Sequence, residues 1–231
     1  MKGKDPKRWI IALVGIDGAG KTTQAHLLAE WLDTHGHPAD YWQNAGGRRW
    51  FGLLAKRLGY RDAQNLLGTG GMLFVETVLR WIAILRALVR SRLRRRTAVM
   101  DRYSWCQYAS ARAHSAGRAG TRRERRARRW FRAFPEPHLT VFLAVRPGLA
   151  YTRIELRGTD HEDLDYLAAA DAAYRSLPEA ERFVIVDADR DPATVQRALR
   201  AAVAARLPGL DPDAADAEVL NPPAQAPILE K

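Results

Sequence analysis

Gly15-Ile16-Asp17-Gly18-Ala19-Gly20-Lys21-Thr22 is the stretch on which the reading of this 231-residue chain turns. It satisfies G-x-x-x-x-G-K-[ST], a pattern in which glycines let the backbone turn tightly and aim its N–H groups at phosphate oxygens. The run before it, residues 9–16, is short and almost continuously apolar, as a strand buried on both faces is. A helical pattern opens directly after it, which completes the strand–loop–helix order the motif requires. The spacing assigns roles. Gly15, Gly18 and Gly20, with Ile16, Asp17 and Ala19 between them, wrap the phosphates, and Thr23 closes the stretch. The helix N-terminus adds partial positive charge. Lys21 reaches the β- and γ-phosphates, and the Thr22 hydroxyl is placed to ligate Mg²⁺. The expected ligands are therefore a nucleoside triphosphate and Mg²⁺, with ATP as the donor once guanine is set aside below.

Working outward, four more short apolar runs follow at 39–43, 97–101, 139–145 and 182–187, the first of them weak. Helix-period segments lie between and after them, at 21–36, 69–95, 104–116, 122–133, 149–157, 161–176 and 191–206. Asp191-Pro192 supplies a cap and an N1 proline for the last. Buried strands alternating with helices predict an α/β chain: a three-layer P-loop NTPase fold with a parallel five-stranded sheet flanked by helices. The P-loop domain spans 1–207. Residues 117–129 read as a flexible entry to a very basic helix. Residues 208–231, rich in Pro, Asp and Ala, read as a disordered tail.

Composition narrows the setting. A 47% hydrophobic fraction excludes wholesale disorder, and Cys106, the lone cysteine, excludes a disulfide framework and any cysteine-built zinc site. No apolar stretch approaches the roughly 18 residues that span a bilayer, and no secretory signal follows the charged N-terminus, so a soluble cytoplasmic protein is expected. The formal charge is +11, and it is concentrated: residues 86–132 hold sixteen arginines against two acids, Asp101 and Glu124. Such a stretch suits nucleic acid, an acidic membrane surface or small phosphorylated substrates, and a codon bias towards arginine would also produce it.

A phosphate loop alone does not separate switches, motors and kinases. A guanine switch needs [N/T]-K-x-D, and none of the six lysines follows Asn or Thr. The chain is short for a motor with an added nucleic-acid domain. Phosphoryl transfer to a small acceptor leads. The run Thr97-Ala98-Val99-Met100-Asp101-Arg102-Tyr103 supports it, since it delivers an acid and a cation to the strand edge where α/β sheets bind ligands. There Asp101 can hold a Mg²⁺-bound water, and Arg102 can clamp an acceptor phosphate with its planar fork.

Together, Gly15 to Gln24 and Asp101-Arg102-Tyr103 resemble thymidylate kinases, which transfer a phosphoryl group from ATP to dTMP. The similarity runs through much of residues 9–200. It takes in Leu73-Phe74 and the segment from Pro137 to Gly158, which in that family is a strand entering an arginine-bearing lid, here about 146–162. The resemblance implies that Asp17 lies near the acceptor sugar and the metal, that Phe74 stacks on the acceptor base, and that Arg102 holds the acceptor phosphate. It also implies that Arg153 and Arg157, four residues apart on one helix face, lie over the ATP phosphates. Ala19 stands where some members carry a loop arginine, so the lid must supply that charge.

Two departures bear on the acceptor. The family's arginine four residues after the stacking phenylalanine is Val78 here, with Arg80 nearby on another face. The segment after Tyr103 does not keep the family's register, leaving Gln107 to hydrogen-bond a base edge and Tyr108 to fill the sugar site. The expected activity is dTMP to dTDP. The alternatives are a P-loop kinase of another small acceptor, such as a nucleoside, or a nucleic-acid-associated ATP-binding protein that works through its Arg-rich helix. The apolar 69–95 helix suggests a homodimer. For 122–132 three readings stand: a solvated face, a funnel for anionic nucleotides, or a nucleic-acid surface. The last would need aromatic platforms, and Trp130 and Phe131 read as inward.

Overall fold

The computed structural model describes residues 8–44, 63–115, 117–158, 161–207 and 209–212, without the side chains of 63–73. Most of the predicted tail, and residues 159–160 of the predicted lid, lie outside the described residues. The five apolar runs form five strands: β1 (Ile10–Val14), β2 (Ala39–Gln43), β3 (Thr97–Asp101), β4 (Leu139–Ala144) and β5 (Val184–Asp187). All pair in parallel, in the spatial order β2-β3-β1-β4-β5. Between β3 and β4 the chain steps across β1, which opens a crevice at the C-terminal ends of β1 and β3. Ile11, Leu13, Val99, Val141 and Leu143 are fully buried, as strands covered on both faces require.

Seven helices cover the sheet: α1 (Lys21–Thr34), α2 (Ala63–Arg94), α3 (Ser104–Ala113), α4 (Arg122–Phe131), α5 (Pro147–Arg157), α6 (Leu164–Arg175) and α7 (Pro192–Ala204). A 3₁₀ turn, Pro178–Arg182, precedes β5 and takes up the first residue of its predicted run. Helix α2 begins six residues before the expected start and carries Gly68, Gly70 and Gly71 within it. Glycine costs a helix about 1 kcal/mol per residue, which is small beside the tertiary support available to a 32-residue element. The cap predicted for the last helix is present: Asp191 Oδ1 accepts the Thr194 N–H at 2.9 Å with Pro192 at N1.

The basic helix is firmly seated. Thr121 caps it by accepting the Glu124 N–H, while Glu124 Oε2 accepts the Gly120 N–H at 3.0 Å, a reciprocal pair that fixes the entry read as flexible. Glu124 is buried and also accepts from Arg112 Nη2 at 2.7 Å and Arg128 Nε at 2.9 Å. Arg112 then donates to the Ser176 carbonyl at 2.6 Å, so one carboxylate ties α3, α4 and the end of α6. Burial alone would raise the Glu124 pKa; the hydrogen bonds from Arg112 and Arg128 outweigh it and hold the carboxyl below its ordinary range. The stability this contributes is therefore present above the usual glutamate pKa and is lost as pH falls through the depressed value. Glu124→Ala, which strands Arg112, should lower unfolding free energy by about 3 kcal/mol in urea titrations at pH 7. The difference from the parent chain should shrink when the titrations are repeated at acid pH.

Candidate active site

The phosphate-binding loop runs from the end of β1 to the first turn of α1. Gly18 adopts φ +82°, and a Cβ there would lie 2.5 Å from the Ala150 carbonyl oxygen. The first turns of α5 thus rest directly on the loop, and only a residue without a side chain permits that approach. Lys21 lies buried beneath, its Nζ donating to the Ile16 carbonyl at 2.6 Å and standing 3.5 Å from Asp17 Oδ1. Burial lowers the Lys21 pKa, and the Arg102 guanidinium lowers it further; Asp17 and Asp101 work against both.

The register of the sheet brings the second half of the site across. Leu13 pairs with Asp101, and the Arg102 N–H donates to the Leu13 carbonyl at 3.1 Å. Arg102 has φ +76°, which is uncommon outside glycine, and Asn44 holds it there. The Asn44 N–H donates to the Asp101 carbonyl at 3.0 Å and its Nδ2 to the Arg102 carbonyl at 2.8 Å. So placed, Arg102 ion-pairs with Asp17. Thr22 Oγ1 donates to Asp101 Oδ2 at 2.6 Å, and the Tyr41 hydroxyl approaches the same oxygen at 3.4 Å. Asp101 Oδ1 is buried without a hydrogen-bond partner. Two hard oxygen donors in contact, with a further carboxylate oxygen unsatisfied, fit a hard divalent cation that takes the rest of its shell from phosphate and water.

This arrangement of loop lysine, hydroxyl, strand-end acid and neighbouring arginine is a phosphoryl-transfer geometry. Residues 13–199 match the family model described as thymidylate kinase. The chain belongs to the thymidylate kinase family. It is 30% identical over 195 residues to a probable thymidylate kinase of Archaeoglobus fulgidus, an alignment covering 83% of this chain and 92% of the relative. A thymidylate kinase of Chromobacterium violaceum is 30% identical over 200 residues, covering 80% and 89%. One from a Janthinobacterium species is 28% identical over 205 residues, covering 84% and 95%. The chain is thus a nucleotide kinase, and the family's reaction is the ATP-dependent phosphorylation of dTMP to dTDP.

Within this family member the site differs from the sequence expectation in three places, two on the acceptor side and one on the donor side. Phe74 is half exposed and sets its ring edge-on against Trp130 of α4, at 5.9 Å between centroids. It lies on the α4 flank of α2 and not on the flank that carries Arg80. Tyr108 is buried between Trp105 and Phe131 with the Arg128 guanidinium 4.5 Å above it, so it belongs to the α3–α4 packing and does not fill a sugar site. Successive helix residues point about 100° apart, which is why Gln107 instead faces α2, donating to Thr77 Oγ1 at 2.8 Å. Third, Arg153 donates to the Ala188 carbonyl at 2.9 Å, in the loop between β5 and α7, and Arg157 is exposed about 10 Å beyond the Gly18 contact along α5.

Arg80, Tyr41 and Asn44 join the site instead. Arg80 is 7% exposed and its Nε is buried without a partner; burial pushes the Tyr174 hydroxyl's pKa up, and the Arg102 and Arg80 charges offset only part of that. Its place was hidden because Val78, not Arg80, holds the familiar spacing from Phe74. Asn44 was findable from its position just past the C-terminal end of a predicted strand, and Tyr41 lies in the middle of that strand. Gly18→Ala, whose Cβ must displace α5 backbone, should weaken ATP binding at least tenfold and lower the melting temperature. Calorimetric titration with ATP checks the first and a thermal scan the second; unchanged affinity would mean that α5 does not rest on the loop.

Proposed function

We propose that the protein transfers the γ-phosphoryl group of ATP to the phosphate of dTMP with Mg²⁺, acting as a homodimer. The observation that carries this reading is the cluster at the β1–β3 edge, where Lys21, Asp17 and Arg102 meet within contact of each other beside Thr22 and Asp101. An acceptor phosphate oxygen attacks the γ-phosphorus, the bond to the β–γ bridging oxygen breaks, and ADP leaves. Lys21 and the loop N–H groups hold the donor. Arg102, released from Asp17 by a competing anion, clamps the acceptor phosphate and sets it in line. Thr22 and Asp101 would hold Mg²⁺, which would supply positive charge to offset that of the transferred phosphoryl group. Positioning and electrostatics stabilise the transition state, so no dedicated base is required.

Arg102 favours an acceptor that already bears phosphate over a bare nucleoside. In this reading Arg80 and Gln107 would contact the base. For the dimer, Ile82, Leu85, Val89 and Leu93 form an exposed apolar stripe along α2 at helical spacing, a face suited to a second copy of the chain.

ADP release from ATP-Mg²⁺ is to be measured against a panel of nucleosides and nucleoside monophosphates. Stimulation by dTMP is the expected result; stimulation by a nucleoside alone would overturn the acceptor assignment. Lys21→Ala should slow turnover about a hundredfold or more with circular dichroism unchanged. Arg80→Met should raise KM for dTMP about tenfold or more, the range set by losing hydrogen bonds to a charged group, while KM for ATP stays put. If both constants move together, Arg80 is a core residue only.

A further inference from the structure

We infer that α4 is a docking surface for single-stranded nucleic acid. Four observations carry this. First, Arg122, Arg123, Arg126, Arg129 and Arg132 are all exposed on this helix or its C-cap, and none makes an ion pair or side-chain hydrogen bond among the described residues. The arginines that do have partners here are Arg112 and Arg128, turned towards Glu124 and Glu179, and Arg125, which donates to the Gly120 carbonyl. Five fixed, unneutralised guanidinium groups call for a polyanion.

Second, they are ordered. Arg122, Arg126 and Arg129 follow one another along the outermost line of the helix at rises of about 6 and 4.5 Å, opposite the buried Glu124, Ala127 and Phe131. A line of planar forks at that spacing can follow a phosphate backbone. Third, the aromatic platform that the sequence reading found lacking is present. Trp130 is 39% exposed and Phe74 51%, and their rings meet at 75° beside Arg126 and Arg123. The expectation that Trp130 faces inward is corrected: its backbone carbonyl accepts the Trp81 indole N–H at 3.1 Å, which leaves the ring outside, while Phe131 alone turns in. Exposed rings beside arginines are what unpaired bases stack on. Fourth, the apolar face of α4 is buried in the fold, so a lipid surface would meet two rings among arginines and not an amphipathic helix face.

The anchoring leaves the surface rigid. Glu124 and Arg112 seat the helix from beneath, so charge is presented without a folding cost at binding.

The test is fluorescence-anisotropy titration of the full chain with a labelled 20-nucleotide DNA strand of mixed sequence between 50 and 200 mM salt. Five phosphate contacts predict a slope of log K against log salt near −3.5, hence about a hundredfold weakening over that range. The triple variant Arg122→Gln/Arg126→Gln/Arg129→Gln should flatten the slope by about 2, with kinase turnover retained. Trp130→Ala should weaken binding about tenfold and leave the slope unchanged, because stacking is not a counterion effect. Several outcomes overturn the inference. They are no binding at 50 mM salt, binding indifferent to the triple variant, equal affinity for a blunt duplex with no response to Trp130→Ala, and co-sedimentation with vesicles containing 30% phosphatidylserine while the oligonucleotide stays free. A triple variant that instead lowers kcat/KM for nucleotide, with no oligonucleotide bound, would make α4 a substrate funnel. None of these readings depends on which acceptor is phosphorylated.

Discussion

Two cations and two carboxylates share the C-terminal edge of β1 and β3, and the rest of the site depends on their mutual compensation. Lys21 and Arg102 repel one another there, and Lys21 is deprived of water; either charge left alone in so dry a place would cost several kcal/mol. Asp17 lies between them, 3.5 Å from Lys21 and in direct contact with Arg102, and Asp101 faces Thr22 across the loop. This balance is possible because the sheet puts β3 beside β1 in one register, with Leu13 opposite Asp101. A slip of one residue would turn Asp101 to the other face of the sheet and leave Lys21 without its second anion. The order of the strands, the register of one ladder and the electrostatics of the loop are therefore a single constraint.

The parts of this arrangement that were legible beforehand share a property: each is encoded by neighbours in sequence. The loop is eight consecutive residues, the Asp-Arg-Tyr run ends one strand, and the Asp191-Pro192 cap begins one helix. All five strands were found where short apolar runs predicted them, and β2 and β3 to the residue. What escaped was helix rotation against a partner not adjacent in sequence. Whether Gln107 or Tyr108 faces α2 depends on how α3 is turned, which the buried Trp105, Tyr108 and Phe131 cluster decides. Likewise Phe74 faces α4 because Trp130 and Trp81 of the two helices interlock there. A spacing rule carried over from relatives could not see this, since Arg80 reaches the Arg102 and Tyr174 neighbourhood from a different face of α2 than Val78 occupies.

Arginine, the residue that most skews the composition, shows why a tally of charge says little about role. Arg96 binds Asp33, Asp40 and the Ala39 carbonyl, and so pins the start of β3 to β2 and α1. Arg112 and Arg128 share Glu124. Arg102 answers to Asp17, and Arg80 stands buried near it with no counterion among the described residues. In each case the available acceptor separates the roles. Arg112 and Arg128 are saturated by buried acids and serve the fold, whereas Arg102 shares one partly exposed acid that an incoming anion can displace.

The outward arginines of α4 fit neither case, and their cost bears on their meaning. Like charges four apart on a helix, such as Arg122 with Arg126 and Arg125 with Arg129, are destabilising by about 0.2–0.5 kcal/mol a pair. Helix α4 carries that repulsion over only ten residues, too few to be stable alone. What holds it is the reciprocal Thr121–Glu124 cap and the buried Glu124–Arg112 pair. A merely solvated face would be served as well by mixed charges, with no repulsion to offset. The fold instead uses one buried carboxylate to fasten a helix whose exposed side is almost uniformly positive, and it leaves two aromatic rings uncovered along that side. Both features are unfavourable in isolation and become favourable together only when a polyanion with stacking bases lies against them.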